Sequence, residues 1–141
     1  VNNDAMIAPI AIWALGEIGN LEAAGVLSGL LNEGKMLEPT LGALRRIGGC
    51  RWLKGASSVL NHEDVKIRMA AVTTIQSIVM EDTVQALEFA EDLIAALRAA
   101  VKDQFKPISV IALTVLAELG EKLDVDVTLD VLQIDPNNLQ K

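Results

Sequence analysis

Tyrosine is missing from these 141 residues, and the aromatic set is two Trp and two Phe. Any interior must therefore be built from Ala, Leu, Ile and Val, which suits helices packed at close range. A single cysteine, Cys50, excludes an internal disulfide framework and fits a reducing, cytoplasmic setting. A single histidine, His62, leaves a multi-histidine metal centre short of ligands. No apolar run reaches the roughly 18 residues of a membrane span, and no segment has the pattern of a signal peptide. No membrane role is expected. Gly48-Gly49 leads into no Gly-Lys-Ser/Thr, so a phosphate loop is absent. Cations are short as well: 12 Lys and Arg stand against 19 Asp and Glu, a net charge of −7. That balance argues against broad nucleic-acid binding, which needs cations to neutralise phosphates. The sign is uneven, because residues 45–68 hold six cations (Arg45, Arg46, Arg51, Lys54, Lys66 and Arg68) against Glu63 and Asp64.

What the chain does have is a repeat. Ala14-Leu15-Gly16-Glu17-Ile18-Gly19 superimposes on Ala43-Leu44-Arg45-Arg46-Ile47-Gly48, on Thr74-Ile75-Gln76-Ser77-Ile78-Val79 and on Val115-Leu116-Ala117-Glu118-Leu119-Gly120. The anchors Leu15, Leu44, Ile75 and Leu116 are spaced by 29, 31 and 41 residues. A period of that size marks an array whose units cannot bury their apolar faces alone. Around each anchor, apolar or small residues recur eight, four and three before it and three after it. The four-before set is Ala11, Thr40, Ala71 and Ala112; the three-after set is Ile18, Ile47, Ile78 and Leu119. Three-and-four spacing means an amphipathic helix. Gly19, Gly48 and Gly120 fall where a helix end takes a positive φ, and Pro9, Pro39 and Pro107 fit the first turn or so.

A second helix follows each first one, with Ala24 and Leu30, Leu53 and Val59, Val84 and Ala90, and Val125 and Val131 in matching positions. The pattern predicts one all-α domain over 1–141, a right-handed solenoid of four hairpins: 5–18 with 21–32, 36–48 with 51–61, 64–80 with 83–102, and 105–120 with about 126–134. The third is lengthened in its second helix. Residues 123–131 alternate as a half-buried strand would, but a lone strand has no partner in an all-helical array. Helix is preferred there, with Asp126 as its cap. Val1 at the start points to a fragment of a longer chain or array.

Paired helices at this spacing, the first ending Ala-Leu-Gly-Glu-Ile-Gly, resemble the HEAT-like repeat family, most of all the short-repeat variety of phycobilisome lyases. Asp64-Val65-Lys66-Ile67-Arg68-Met69-Ala70-Ala71 is similar to that family's acidic, Val-Arg and Ala-Ala opening. The resemblance implies a solenoid whose second helices line a concave face that grips proteins. An enzymatic branch, the deoxyhypusine hydroxylases, holds two irons through several His-Glu pairs. Here only His62-Glu63 is present, in a turn, and reads as a solvated turn pair.

Cys50, beside Arg51, could have its pKa lowered, but its one imidazole partner, His62, lies beyond a helix. No catalytic residue, cofactor site or metal site is assigned. Trp52 stands on the second-helix face between Arg51 and Lys54. It either folds back on the preceding turn or anchors a partner. Trp13 is expected to pack over the seam between the first two hairpins, and Arg45 and Arg46 to complement a helix C-terminus. The expected partner site is Arg51, Trp52, Lys54, Ser58, Glu88 and Phe89, at offsets pointing away from the stack. The four anchors are expected to be nearly fully buried. The first hairpin, with Met6, Ile7, Ile10 and Trp13 and no charge between Asp4 and Glu17, should be covered by upstream repeats or by self-association.

These features point first to a non-catalytic scaffold or adaptor that binds another protein. The alternatives are an enzyme-associated module, such as a bilin-lyase-like subunit or a chaperone of a cofactor-bearing protein, and a nucleic-acid-binding array resting on residues 45–68.

Overall fold

The computed structural model describes residues 3–133, 135 and 137, with side chains from Ala8 onward apart from that of Ala90. Within them the chain is all-helical and no strand occurs. The helices are α1 (Asn3–Ile18), α2 (Leu21–Glu33), α3 (Leu37–Ile47), α4 (Leu53–Ser57), α5 (Val65–Glu81), α6 (Thr83–Ala86), α7 (Ala90–Ala100), α8 (Lys106–Glu118) and α9 (Val125–Leu132). Short 3₁₀ turns at Cys50–Trp52 and Leu87–Phe89 lead into α4 and α7.

Polar residues just ahead of the helices set their starts. Asn20 accepts from the Ala23 N–H at 2.8 Å, Asp64 from Lys66 at 2.9 Å, and Asp82 from Gln85 at 3.0 Å. Each satisfies one of the backbone donors a helix leaves open at its N-terminus. Gly34 and Gly48, at φ +71° and +76°, end α2 and α3 in a region that side chains disfavour. Two starts differ from expectation. Asp124, not Asp126, caps α9, accepting from Val127 N–H at 3.0 Å. Met36 precedes α3 in a left-handed conformation rather than opening the helix. Pro9 lies inside α1, beyond its first turn.

Two rows of helices organise the packing. In the first row α1 packs on α3, α3 on α5 and α5 on α8; in the second, α2 packs on α4 and α4 on α7. α2 also touches α1 and α3, bridging them, while α4 touches α5 and α7 touches α8, which ties the two rows together. The core between the rows includes Leu27, Leu41, Leu44, Leu53, Ile75, Leu97, Ile108 and Leu116, all essentially without solvent exposure. Each such side chain contributes about 1.5–3 kcal/mol by leaving water.

Three anchors, Leu44, Ile75 and Leu116, are fully buried as expected. Leu15 is only half-buried, and Ala11 and Ile18 are exposed, although their counterparts Thr40, Ala71, Ala112, Ile78 and Leu119 are buried. The reason is position. These offsets face the preceding hairpin, and among the described residues nothing precedes α1. Trp13 is also 56% exposed rather than packed into a seam. Arg46 reaches it from α3, its guanidinium 5.8 Å from the ring centroid. The expectations for Met6 and Ile7 lie outside the described side chains. Val84 and Val125, placed by the pattern in the second-helix core, are exposed, because the third hairpin's second helix is broken into α6, a 3₁₀ turn and α7, and Val125 opens α9.

Candidate functional site

The α3–α4 turn starts from two glycines with positive φ, Gly48 and Gly49 at +76° and +94°. The chain can then turn tightly enough for the Trp52 indole to donate to the Gly48 carbonyl at 2.9 Å. Arg51 lays its guanidinium 5.6 Å from the Trp52 ring centroid. Trp52 is thus half-buried and folds back on its turn, the first of the two readings the sequence left open, and its ring, under Arg51, forms the wall between two clefts. One, of about 700 Å³, lies between this turn and Gly19-Asn20-Leu21. The other, about 430 Å³, is lined by Arg51, Trp52, Lys54 and Ser58, with Ser28 and Asn32 contributed by α2.

Four of the six expected site residues therefore share one cleft, and Arg51, Lys54 and Ser58 are exposed in it. Glu88 and Phe89 do not line it. They are exposed on the 3₁₀ turn of the third hairpin, with Phe89 at 41%. The offset argument placed them correctly on the surface but could not foresee that the helix breaks there.

Cys50 is buried beneath the same turn, and its thiol donates to the Asp82 carbonyl at 3.8 Å. Burial pushes its pKa up, and the carboxylates of Asp82, Glu81 and Glu88 push in the same direction. The lowering expected from Arg51 does not occur, because Arg51 is turned onto Trp52 while acidic groups surround the thiol.

A further cleft of about 550 Å³ opens between the α4–α5 and α7–α8 turns. His62, expected to be merely solvated, is half-buried in its wall and accepts the Asp64 N–H through Nδ1 at 3.0 Å. Arg68 holds the two turns together. Its Nε and Nη2 donate to Asp103 Oδ2 and Oδ1 at 2.8 and 3.2 Å, and its Nη1 to the His62 and Glu63 carbonyls at 3.0 and 3.1 Å. Among the described residues no group of three or more His, Cys, Asp or Glu side chains is gathered as metal ligands.

The basic island is partly engaged. Arg46 donates to the Trp13 carbonyl at 3.0 Å and lies 3.4 Å from Glu17, and Arg68 is held by Asp103. Arg51 and Lys54 have no carboxylate within ion-pair distance among the described residues. The sequence reading missed Ser28, Asn32, Asn61 and Lys102 as cleft-lining groups. One signal was present: Asn32 and Asn61 both stand 17 residues after their anchors.

Comparison of the chain with protein-family models, curated proteins and solved structures finds no match. No helix is long and apolar enough to cross a membrane.

Proposed function

We propose that this chain is a HEAT-like solenoid domain working as a non-catalytic scaffold, which binds another protein on the face built by α2, α4 and α7. The observation that carries this is the cleft in which Arg51, Trp52, Lys54 and Ser58 meet Ser28 and Asn32 across two adjacent hairpins. It joins an aromatic wall to exposed polar groups, the makeup of an anchor with a polar rim. The two-row packing, each hairpin touching its sequence neighbours, supports the solenoid reading. The use of Arg46 and Arg68 within the fold leaves few cations for a nucleic-acid backbone and favours a protein partner. Self-association through the first hairpin belongs to the same reading, on the exposure of Ile10, Trp13 and Ile18.

Ser58→Trp tests it. Ser58 is exposed, and its hydroxyl makes only a local bond to the Gly55 carbonyl at 2.6 Å, so a bulky residue there fills the face without disturbing the core. Immobilised wild-type chain should capture a protein from extracts of its source cells that the Ser58→Trp chain, with the same melting temperature, does not. Identical captured sets from both would overturn the assignment of this face.

A further inference from the structure

The third hairpin is the one that departs from the repeat, and its extra residues fall at α6 and the 3₁₀ turn after it. Asp82 leaves the helical conformation, at φ −148° and ψ 84°, so the chain turns off the end of α5 before α6 begins. The resulting spur packs chiefly on α5, with Ala86 as its buried side chain. Insertions in a repeat array gather on one face, often the one that binds.

The outer side of the spur is apolar. Val84, at 78%, is the most exposed large apolar side chain among the described residues, and Leu87 and Phe89 follow at 49% and 41%. Leu87 is still helical at φ −62° and ψ −24°, so Val84 and Leu87, three residues apart, share a face. A single exposed apolar side chain is ordinary; three on one short spur mark a surface that is covered in use.

The charge around it has one sign. Between Met69 and Leu97 there is no Lys, Arg or His, and the charged residues are Glu81, Asp82, Glu88, Glu91 and Asp92, all exposed. Among the described residues none of the five has an ion-pair partner, and neither Arg45, Arg51 nor Lys54 reaches one. The flanking cations along the chain are spent elsewhere, Arg68 on Asp103 and Arg98 on Glu121. Two of the five serve the fold: Asp82 caps α6, and Glu81 lies against Gly48, where an added Cβ would meet its carboxylate at 2.8 Å. Glu88 sits on the spur, four residues after Val84 and next to Leu87. Glu91 and Asp92 open α7, where the helix dipole favours acid but supplies no counter-ion. Cys50, raised in pKa by burial, is pushed further by Asp82, Glu81 and Glu88, which brings those carboxylates near one sulfur.

We propose that the spur is a second docking surface, taken by a cationic amphipathic segment of a partner protein. The segment's apolar side chains cover Val84, Leu87 and Phe89, and its Lys or Arg residues pair with Glu88, Glu91 and Asp92. An apolar centre with a rim of one sign favours the opposite sign and rejects its own. The same carboxylates repel nucleic acid and anionic membrane. None of these residues lines the clefts at Trp52, so this surface stands or falls separately from the face that Ser58→Trp tests.

The test is fluorescence anisotropy of the full chain with a short labelled peptide carrying Leu at helical spacing among lysines. One control replaces each Lys by Glu; the other shuffles the same residues so that the Leu stripe is lost. The first peptide should bind, the Glu peptide should not, and the shuffled one should bind far more weakly. Val84→Ser and Leu87→Ser alter exposed side chains and should each weaken binding about five-fold, with unchanged melting temperature. Glu88→Gln and Glu91→Gln should each weaken it about three-fold, and both together about ten-fold. Asp130→Asn removes the same charge from the exposed side of α9 and should change nothing. An equal loss in Asp130→Asn would reduce the binding to general attraction by an acidic chain and overturn the proposal. Serine variants that bind like wild type, or a shuffled peptide that binds as well as the first, would overturn it too. So would association of the chain with itself that Glu88→Lys abolishes, because a second copy would then be the occupant.

Discussion

Leu44 and Leu15 hold the same repeat position, so truncating each to alanine compares an enclosed site with one at an open edge. Leu44 is fully buried on α3, which packs against α1, α2 and α5. Leu44→Ala removes three carbon groups at about 0.8 kcal/mol each, or about 2.4 kcal/mol of transfer energy. Walls held by three helices cannot close fully, and the residual cavity adds about 1 kcal/mol. The sum is about 3–4 kcal/mol. Leu15 is already half in water and, among the described residues, no helix on its outer side encloses a cavity, so Leu15→Ala should cost about 1 kcal/mol. For a chain of this size each kcal/mol moves the melting temperature by about 3 °C. Thermal unfolding followed by far-UV circular dichroism should therefore show drops of about 10 °C and about 3 °C. Equal drops at a concentration where the chain is monomeric would refute the reasoning, since α1 would then be as enclosed as α3 without any second copy to cover it.

Two other outcomes follow from the geometry. The Cys50 thiol, raised in pKa by burial and by Asp82, Glu81 and Glu88, should react with iodoacetamide far more slowly in the native chain than in urea. The unfolded chain releases that proton first, so stability should fall as pH climbs from the unfolded thiol's value of about 8.5 toward the higher folded one. Comparable native and unfolded alkylation rates would contradict the buried, acid-flanked thiol. Asp124→Ala removes the α9 cap at a cost of about 1 kcal/mol. Because α9 packs mainly on α8, hydrogen exchange should speed up over residues 125–132 and stay unchanged in α3 and α5.

Periodicity made the first row legible, because every unit repeats a buried apolar residue at −3 and an apolar anchor at 0 on one helical face. It does not report whether a neighbour covers a face, and so it overestimated the burial of Leu15 and missed the exposure of Trp13. Both errors come from the same source: a face is encoded locally, whereas its cover is a neighbour that the local pattern does not contain. The strand-like alternation of residues 123–131 yielded to helix because a strand there has nothing to pair with, although Asp124 rather than Asp126 supplies the cap. At the site, Arg51, Trp52, Lys54 and Ser58 were legible because they share one short helix and its approach. Ser28, Asn32 and Lys102 were not, since packing of α2, α4 and α7 along the second row brings them alongside, and only the matched offset of Asn32 and Asn61 left a periodic trace. Glu88 and Phe89 were misgrouped because offsets assume an unbroken helix and this one breaks at Leu87–Phe89.

That break has a consequence for how such a chain can change over generations. The third unit is longer than its neighbours, with an anchor spacing of 41 against 29 and 31, yet α5 still packs on α8 as α3 does on α5. The added length sits where α6 and the 3₁₀ turn expose Val84, Leu87 and Phe89, off the first row. Codons gained or lost there alter a rim and leave the register of the interior alone. The same property makes residues 87–89, beyond the buried Ala86, the natural graft point for an inserted epitope or fluorophore.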